Sequence, residues 1–132
     1  MTAEEVFRSF IAVDIPSSVQ EALGQVEGKL KDKLPETPVR WVDPGKIHLT
    51  LKFLGDVSQE NLEMVKKILS SEVSKRSMME IGIGGVGAFP KMRHPRVIWV
   101  GVEAPEELHA LRRGIEDGVA RLGYEYDKYD FT

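Results

Sequence analysis

Between Lys46 and Gly55 the chain reads KIHLTLKFLG, with Ile47, Leu49, Leu51 and Phe53 on one parity and His48, Thr50 and Lys52 on the other. Strict alternation predicts a half-buried β-strand, whose successive side chains point to opposite faces. Four apolar groups are expected against a core, and an imidazole, a hydroxyl and an ammonium on the other face. The stretch VFRSFIAVD, 6–14, is β-branched and aromatic and predicts a strand. Pro16 opens a helix, with Ser17 and Gln20 at capping-box spacing and Val19, Leu23, Val26 and Leu30 at helical intervals. That helix should stop before Pro35. VRWV, 39–42, predicts a short strand, and Asp43-Pro44-Gly45 a turn.

Gly55-Asp56 is expected to end the KIHLTLKFLG strand, and Ser58 to cap a second helix with Leu62, Val65, Leu69 and Val73 inward. MEIGIGGVGAF, 79–89, predicts a strand rich in glycine, and RVIWVGV, 96–102, another. Pro105 starts a third helix, with Glu106 and Glu107 in its first turn, where the helix dipole favours acids. Leu108, Leu111, Ile115, Val119 and Leu122 form its stripe, and Gly123 is its C-terminal cap. YEYDKYDFT begins a further segment. The order β α β β α β β α places the chain in the α+β class. No linker or low-complexity segment interrupts it, although strand–helix–strand elements loosely echo between the two halves.

With 132 residues, 42% hydrophobic and 30% charged, the chain suits one globular domain. No apolar run approaches a membrane span, and the start lacks the basic and apolar regions of a signal peptide. The absence of cysteine removes disulfides, thiolate metal sites and a cysteine nucleophile. A cytoplasmic monomer is the expectation. A net charge of −3 argues against a broad nucleic-acid coat, but leaves room for a pocket that takes one phosphate or one RNA end.

Several motifs carry less than they suggest. GIGGVG, 82–87, fits Gly-x-Gly-x-x-Gly, yet AFPKMRHP follows it in place of a helix, so a bulged strand is the better reading. KMRHPR, 91–96, fits a solvated hairpin tip. Arg96, where that loop enters a strand, is the better-fixed cation. His109 falls beside the third helix's stripe, a surface or boundary position. The three histidines, His48, His94 and His109, have no metal-binding spacing, so neither metal nor other cofactor is expected.

His48 and Thr50 differ. Two residues apart on a strand, their Cα atoms are about 6.5–7 Å apart on one face. An imidazole moves a proton near neutral pH, and a hydroxyl donates to an anionic oxygen. Together they suit one side of a phosphate. Lys52 on the same face and Arg96 are the candidate substrate-binding cations.

His48-Leu49-Thr50-Leu51 resembles the first His-x-Thr-x motif of the 2H phosphoesterases. IHLTLKFLGDV is especially similar to their RNA 2′,3′-cyclic phosphodiesterase branch, the LigT-like or 2′-5′ RNA ligase family. RSFIAVDIP, VRWVDPGKIHLTLKFLG, GVGAFP and PRVIWVGV resemble that family's segments in the same order. The resemblance implies two pseudo-symmetric α+β lobes, with antiparallel sheets around a cleft and one His-x-Thr from each lobe. It implies metal-independent hydrolysis of RNA or nucleotide 2′,3′-cyclic phosphate ends to 2′-phosphates, with reversible 2′-5′ ligation as a minor activity. His48 inherits the proton-donor role, and Thr50 a hydrogen bond to the phosphate. The family's second motif stands in a context like Phe-Thr-Pro-His-x-Thr, and this chain stops at Asp130-Phe131-Thr132. The expectation is one LigT-like domain over 1–132, incomplete at its C-terminus and catalytically impaired as it stands. The alternative is a non-catalytic module that binds nucleotides or RNA ends.

Overall fold

The computed structural model describes residues 5–34, 36, 39–90 and 95–127. The chain divides into two compact units, one over 9–53 and the other over 1–8 and 54–132. The elements are β1 (Val6–Asp14), α1 (Ser17–Lys33), a 3-10 turn (Pro44–Lys46), β2 (His48–Ser58), α2 (Gln59–Ser74), β3 (Gly82–Pro90), β4 (Pro95–Glu103) and α3 (Glu106–Ala120). Helices and antiparallel pairing in one chain confirm the α+β class. No helix among the described residues is long and apolar enough to cross a membrane.

In the 9–53 unit, β1 and β2 are hydrogen-bonded neighbours. β1 alternates cleanly: Ile11 is buried, Ser9 and Val13 are half-buried, and Phe10, Ala12 and Asp14 are exposed. The capping box expected at α1 does not form. Pro16 takes the N-cap position, so Ser17 is already helical. The Pro16 carbonyl instead accepts the N–H groups of Val19 and Gln20, both at 3.0 Å. α1 keeps its amphipathic rhythm yet buries no residue, and Val26 is exposed. VRWV is not a strand: residues 39–43 are irregular, and Trp41 lies under the Lys31 ammonium, 5.7 Å from the ring centre. Four residues, one of them the charged Arg40, carry too little pattern to specify a strand. Asp43 accepts the Gly45 N–H at 2.9 Å and caps the 3-10 turn.

β2 runs past its expected end. Gly55 adopts φ 73°, a conformation that glycine reaches without a steric penalty, and the strand continues to a fully buried Val57. Ser58 then caps α2 by accepting the Asn61 N–H at 3.2 Å. Val65 is buried on the inner face, with Leu62 and Leu69 half-buried, but Val73 in the last turn is exposed. β3 begins at Gly82, three residues later than the pattern predicts, and pairs antiparallel with β4 from Gly82↔Glu103 to Pro90↔Pro95. Gly85, at φ 74°, is the extra residue of a bulge between Gly84 and Val86. Gly87 lies opposite Trp99, whose indole occupies the space a side chain would need.

α3 supplies most of the core of its unit. Leu108, Leu111, Ile115 and Val119 are buried as the stripe predicts. Gly114 and Gly118 face Glu72 and Ile68 of α2, and a methyl at either would collide with those side chains. The helix ends as expected at Gly123, φ 98°. Gly123 donates to the Ala120 carbonyl at 3.0 Å and Tyr124 to that of Val119 at 3.3 Å, the paired bonds of a Schellman cap. The chain then turns back. The Asn61 amide donates to the Tyr124 hydroxyl at 3.4 Å, the Tyr126 hydroxyl donates to Asp117 at 2.9 Å, and Arg112 donates to Asp127 at 2.9 Å.

Candidate active site

His48 is the first residue of β2 and is exposed. Its imidazole stacks on the Phe10 ring of the neighbouring strand, with centroids 4.9 Å apart and planes 15° from parallel. The Phe53 ring lies 6.0 Å from that of Phe10, tilted by 44°. Thr50 follows two residues on along the same strand, half-buried. An exposed imidazole on an aromatic ring, with a hydroxyl two residues on, can exchange a proton and donate a hydrogen bond to an oxyanion.

Two residues of this strand depart from simple alternation. Lys52, expected on the open polar face, is buried at 3% exposure, whereas Phe53, expected in the core, is 72% exposed. Burial along β2 follows position more than parity. Thr50 is half-buried, Leu51 and Lys52 are buried, and His48 and Phe53 on either side are open. A strand covered on both faces at its middle does not sort its residues by alternation alone. Lys52 therefore lacks the open position of His48.

The other candidates are more scattered. Arg96 falls in β4, in the other compact unit, and its side chain lies outside the described residues. Of KMRHPR, residues 91–94, including His94, also lie outside them. His109 is half-buried on α3, a boundary position. Gly82, Gly84 and Gly87 lie within β3 and open no helix, so GIGGVG is not a dinucleotide fingerprint. Among the described residues no three His, Asp or Glu side chains gather as a metal site would require.

Two features escaped the sequence reading. Phe10 is one; an aromatic on the exposed parity of VFRSFIAVD was its only signal. The other is a charged cluster on α3. Arg112 and Glu116 are buried, 3.6 Å apart, and Arg112 also pairs with Asp127. Their i,i+4 spacing was visible, but their position beside the apolar stripe did not announce burial. An open cavity of about 320 Å³ is lined by Arg112, Arg113, Glu116, Asp117, Tyr126 and Asp127. Within it, the hydrogen bond to the Asp117 carboxylate raises the Tyr126 phenol above its ordinary pKa, because ionised Tyr126 would lose that bond and face a second anion.

Comparison with known proteins gives this geometry a lineage. Residues 13–99 match the family described as LigT like Phosphoesterase. An RNA 2′,3′-cyclic phosphodiesterase of Archaeoglobus fulgidus is 38% identical over 121 residues, covering 92% of this chain and 66% of that protein. One from Methanothermobacter thermautotrophicus is 31% identical, covering 92% and 65%. The chain thus spans just under two thirds of the length of these curated relatives. Among solved structures, E. coli LigT in apo form superposes with a TM-score of 0.70 at 25% identity, covering 98% of this chain and 69% of that one. E. coli LigT complexed with 3′-AMP gives 0.66 at 27% identity, covering 97% and 70%. The match over 13–99 takes in the end of β1, α1, the His48 strand, α2, β3 and the start of β4, and the chain belongs to the LigT-like phosphoesterase family.

Proposed function

We propose that the protein hydrolyses RNA or nucleotide 2′,3′-cyclic phosphate ends to 2′-phosphates, without a metal, by acid–base catalysis in which His48 is the proton donor. The observation that carries this reading is the exposed His48 followed by Thr50 inside the family match, with the Phe10 ring of β1 stacked on the imidazole. The names of the relatives support the substrate class. Water adds to phosphorus, the bond to the 3′-oxygen breaks, and protonated His48 gives its proton to that leaving oxygen. The product is a 2′-phosphate with a free 3′-hydroxyl. Thr50 donates a hydrogen bond to a non-bridging oxygen, where charge builds as water adds. A second histidine, from the family's second His-x-Thr, takes the proton from water. With a 5′-hydroxyl in place of water, the same attack on phosphorus breaks the same bond to the 3′-oxygen. The second histidine takes the hydroxyl proton, His48 protonates the 3′-oxygen, and a 2′-5′ phosphodiester results; this reversible 2′-5′ ligation is the minor activity. One histidine must be protonated while the other is neutral, so rate against pH is bell-shaped within about pH 5–8.

The test is a pH–rate profile of the full-length gene product on a nucleoside 2′,3′-cyclic phosphate, with and without EDTA. Turnover that survives chelation, with both limbs in the imidazole range, supports the reading. Activity that vanishes with EDTA and returns with Mg²⁺ or Zn²⁺ overturns it. Tight binding with no turnover points to the non-catalytic module.

A further inference from the structure

We infer that Phe10 is a positioning residue for the His48 imidazole, an inference that rests on the proposed role of His48 and adds a residue to it. The second torsion of a histidine side chain is broad, so a ring at an exposed strand end has no preferred plane of its own. His48 is in that position, as the exposed first residue of β2. The stack on Phe10, at 4.9 Å and 15°, removes that freedom: two nearly parallel rings in contact cannot turn independently. It does so without using a ring nitrogen. Both nitrogens lie in the imidazole plane, at its edge, and a partner on the face restrains the plane while leaving each able to carry or pass a proton. The more common device, a hydrogen bond to one nitrogen, also fixes a tautomer.

Phe10 is itself well placed. It sits on the exposed parity of a cleanly alternating strand whose opposite parity contributes the buried Ile11, so its backbone is anchored while its ring stays at the surface. Phe53 crowds the Phe10 ring at 6.0 Å with a 44° tilt and limits its swing. In a chain that is 30% charged, a half-exposed phenylalanine is better explained by the ring it carries than by the core. The stack is aromatic in character: a leucine fills similar space but offers no flat face.

The experiment compares Phe10→Leu, Phe10→Tyr and His48→Ala in the full-length protein, on a nucleoside 2′,3′-cyclic phosphate. Phe10→Leu is expected to lower kcat roughly 3- to 10-fold with KM nearly unchanged, and Phe10→Tyr to retain wild-type kcat. A separate reading comes from NMR of the His48 ring protons. In the wild type the Phe10 ring current shifts them, and the shift is lost in Phe10→Leu and kept in Phe10→Tyr, with the amide spectrum otherwise intact. Equal kcat in Phe10→Leu and wild type overturns the positioning role. A loss confined to KM also overturns it, and makes Phe10 a surface that binds the nucleotide. If His48→Ala turns over normally, it is the proton-donor assignment that fails, and the NMR shift then reports the stack alone.

Discussion

Helices α1 and α3 share a rhythm and little else. Each repeats aliphatic residues at helical intervals, yet α1 buries nothing while α3 buries Leu108, Leu111, Ile115 and Val119 along with Arg112, Glu116 and Gly118. The difference lies in the partner. α3 meets α2 closely because Gly114 and Gly118 remove the methyls that would hold the helices apart. Periodicity says which face of a helix turns inward, and the partner decides how far. The same division separates the proposed chemistry from the deepest core. His48 and Phe10 lie in the thinly buried unit of α1, and the deepest side chains in that of α3.

The sharpest way to break this division is a crossed pair of substitutions. His48→Ala should cost about 10²–10⁴ in turnover and about 1 kcal/mol or less in stability, since the ring is exposed and leaves only its stack. Ile115→Ala should do the reverse, losing about 2–5 kcal/mol on chemical denaturation with the surviving folded fraction still active. Leu23→Ala on α1, at a half-buried position, should cost about 1 kcal/mol. If Leu23→Ala matches Ile115→Ala, the two helices are not different in the way their burial indicates.

Next in size is Arg112→Met. Glu116 stays buried with the cation removed, and a stability loss of about 3 kcal/mol is expected on urea titration at neutral pH. Thr50→Val keeps the shape and deletes the hydroxyl, and should weaken phosphate-end binding by about 1.5 kcal/mol in calorimetry with little change in melting. The smallest effect belongs to Tyr126→Phe. The phenol's folded-state pKa is raised, so its contribution is fully present below its unfolded value, near 10, and lost as pH rises through the folded one. Wild type and variant should therefore differ slightly at pH 8 and converge in strong alkali.

The sequence was most legible where one residue type has one job. Gly123 could be assigned because a helix stop needs a left-handed residue, and Ser58 because a helix start needs an acceptor. Ser17 misled because Pro16, which cannot donate, took the cap position itself. Gly55 misled because the same freedom that ends a strand can also carry it onward. At the candidate site, spacing and resemblance singled out His48 and Thr50, and the structure places both on β2, His48 exposed and Thr50 half-buried. The burial of Lys52 was not legible, because alternation assigns faces and says nothing about a strand covered on both. Phe10 was hidden for a different reason: its partner is across the sheet, and one-dimensional pattern does not list neighbours.

The bulge at Gly85 has a genetic consequence. On either side of it, the pairing partners step from Gly101 to Val100 while β3 advances two residues, from Gly84 to Val86. Losing one codon here would therefore cost little more than the glycine itself. It would close the ladder into regular pairing, Gly84 opposite Gly101 and Val86 opposite Val100 in succession, with the side chains of both flanks keeping their faces and only the local kink and extra twist of the bulge lost. Replacing the codon would instead place a side chain at φ 74°, where only the local turn is strained. Over evolutionary time this position should therefore admit the loss of its codon, which keeps the register of the hairpin, more readily than a β-branched side chain held at that angle.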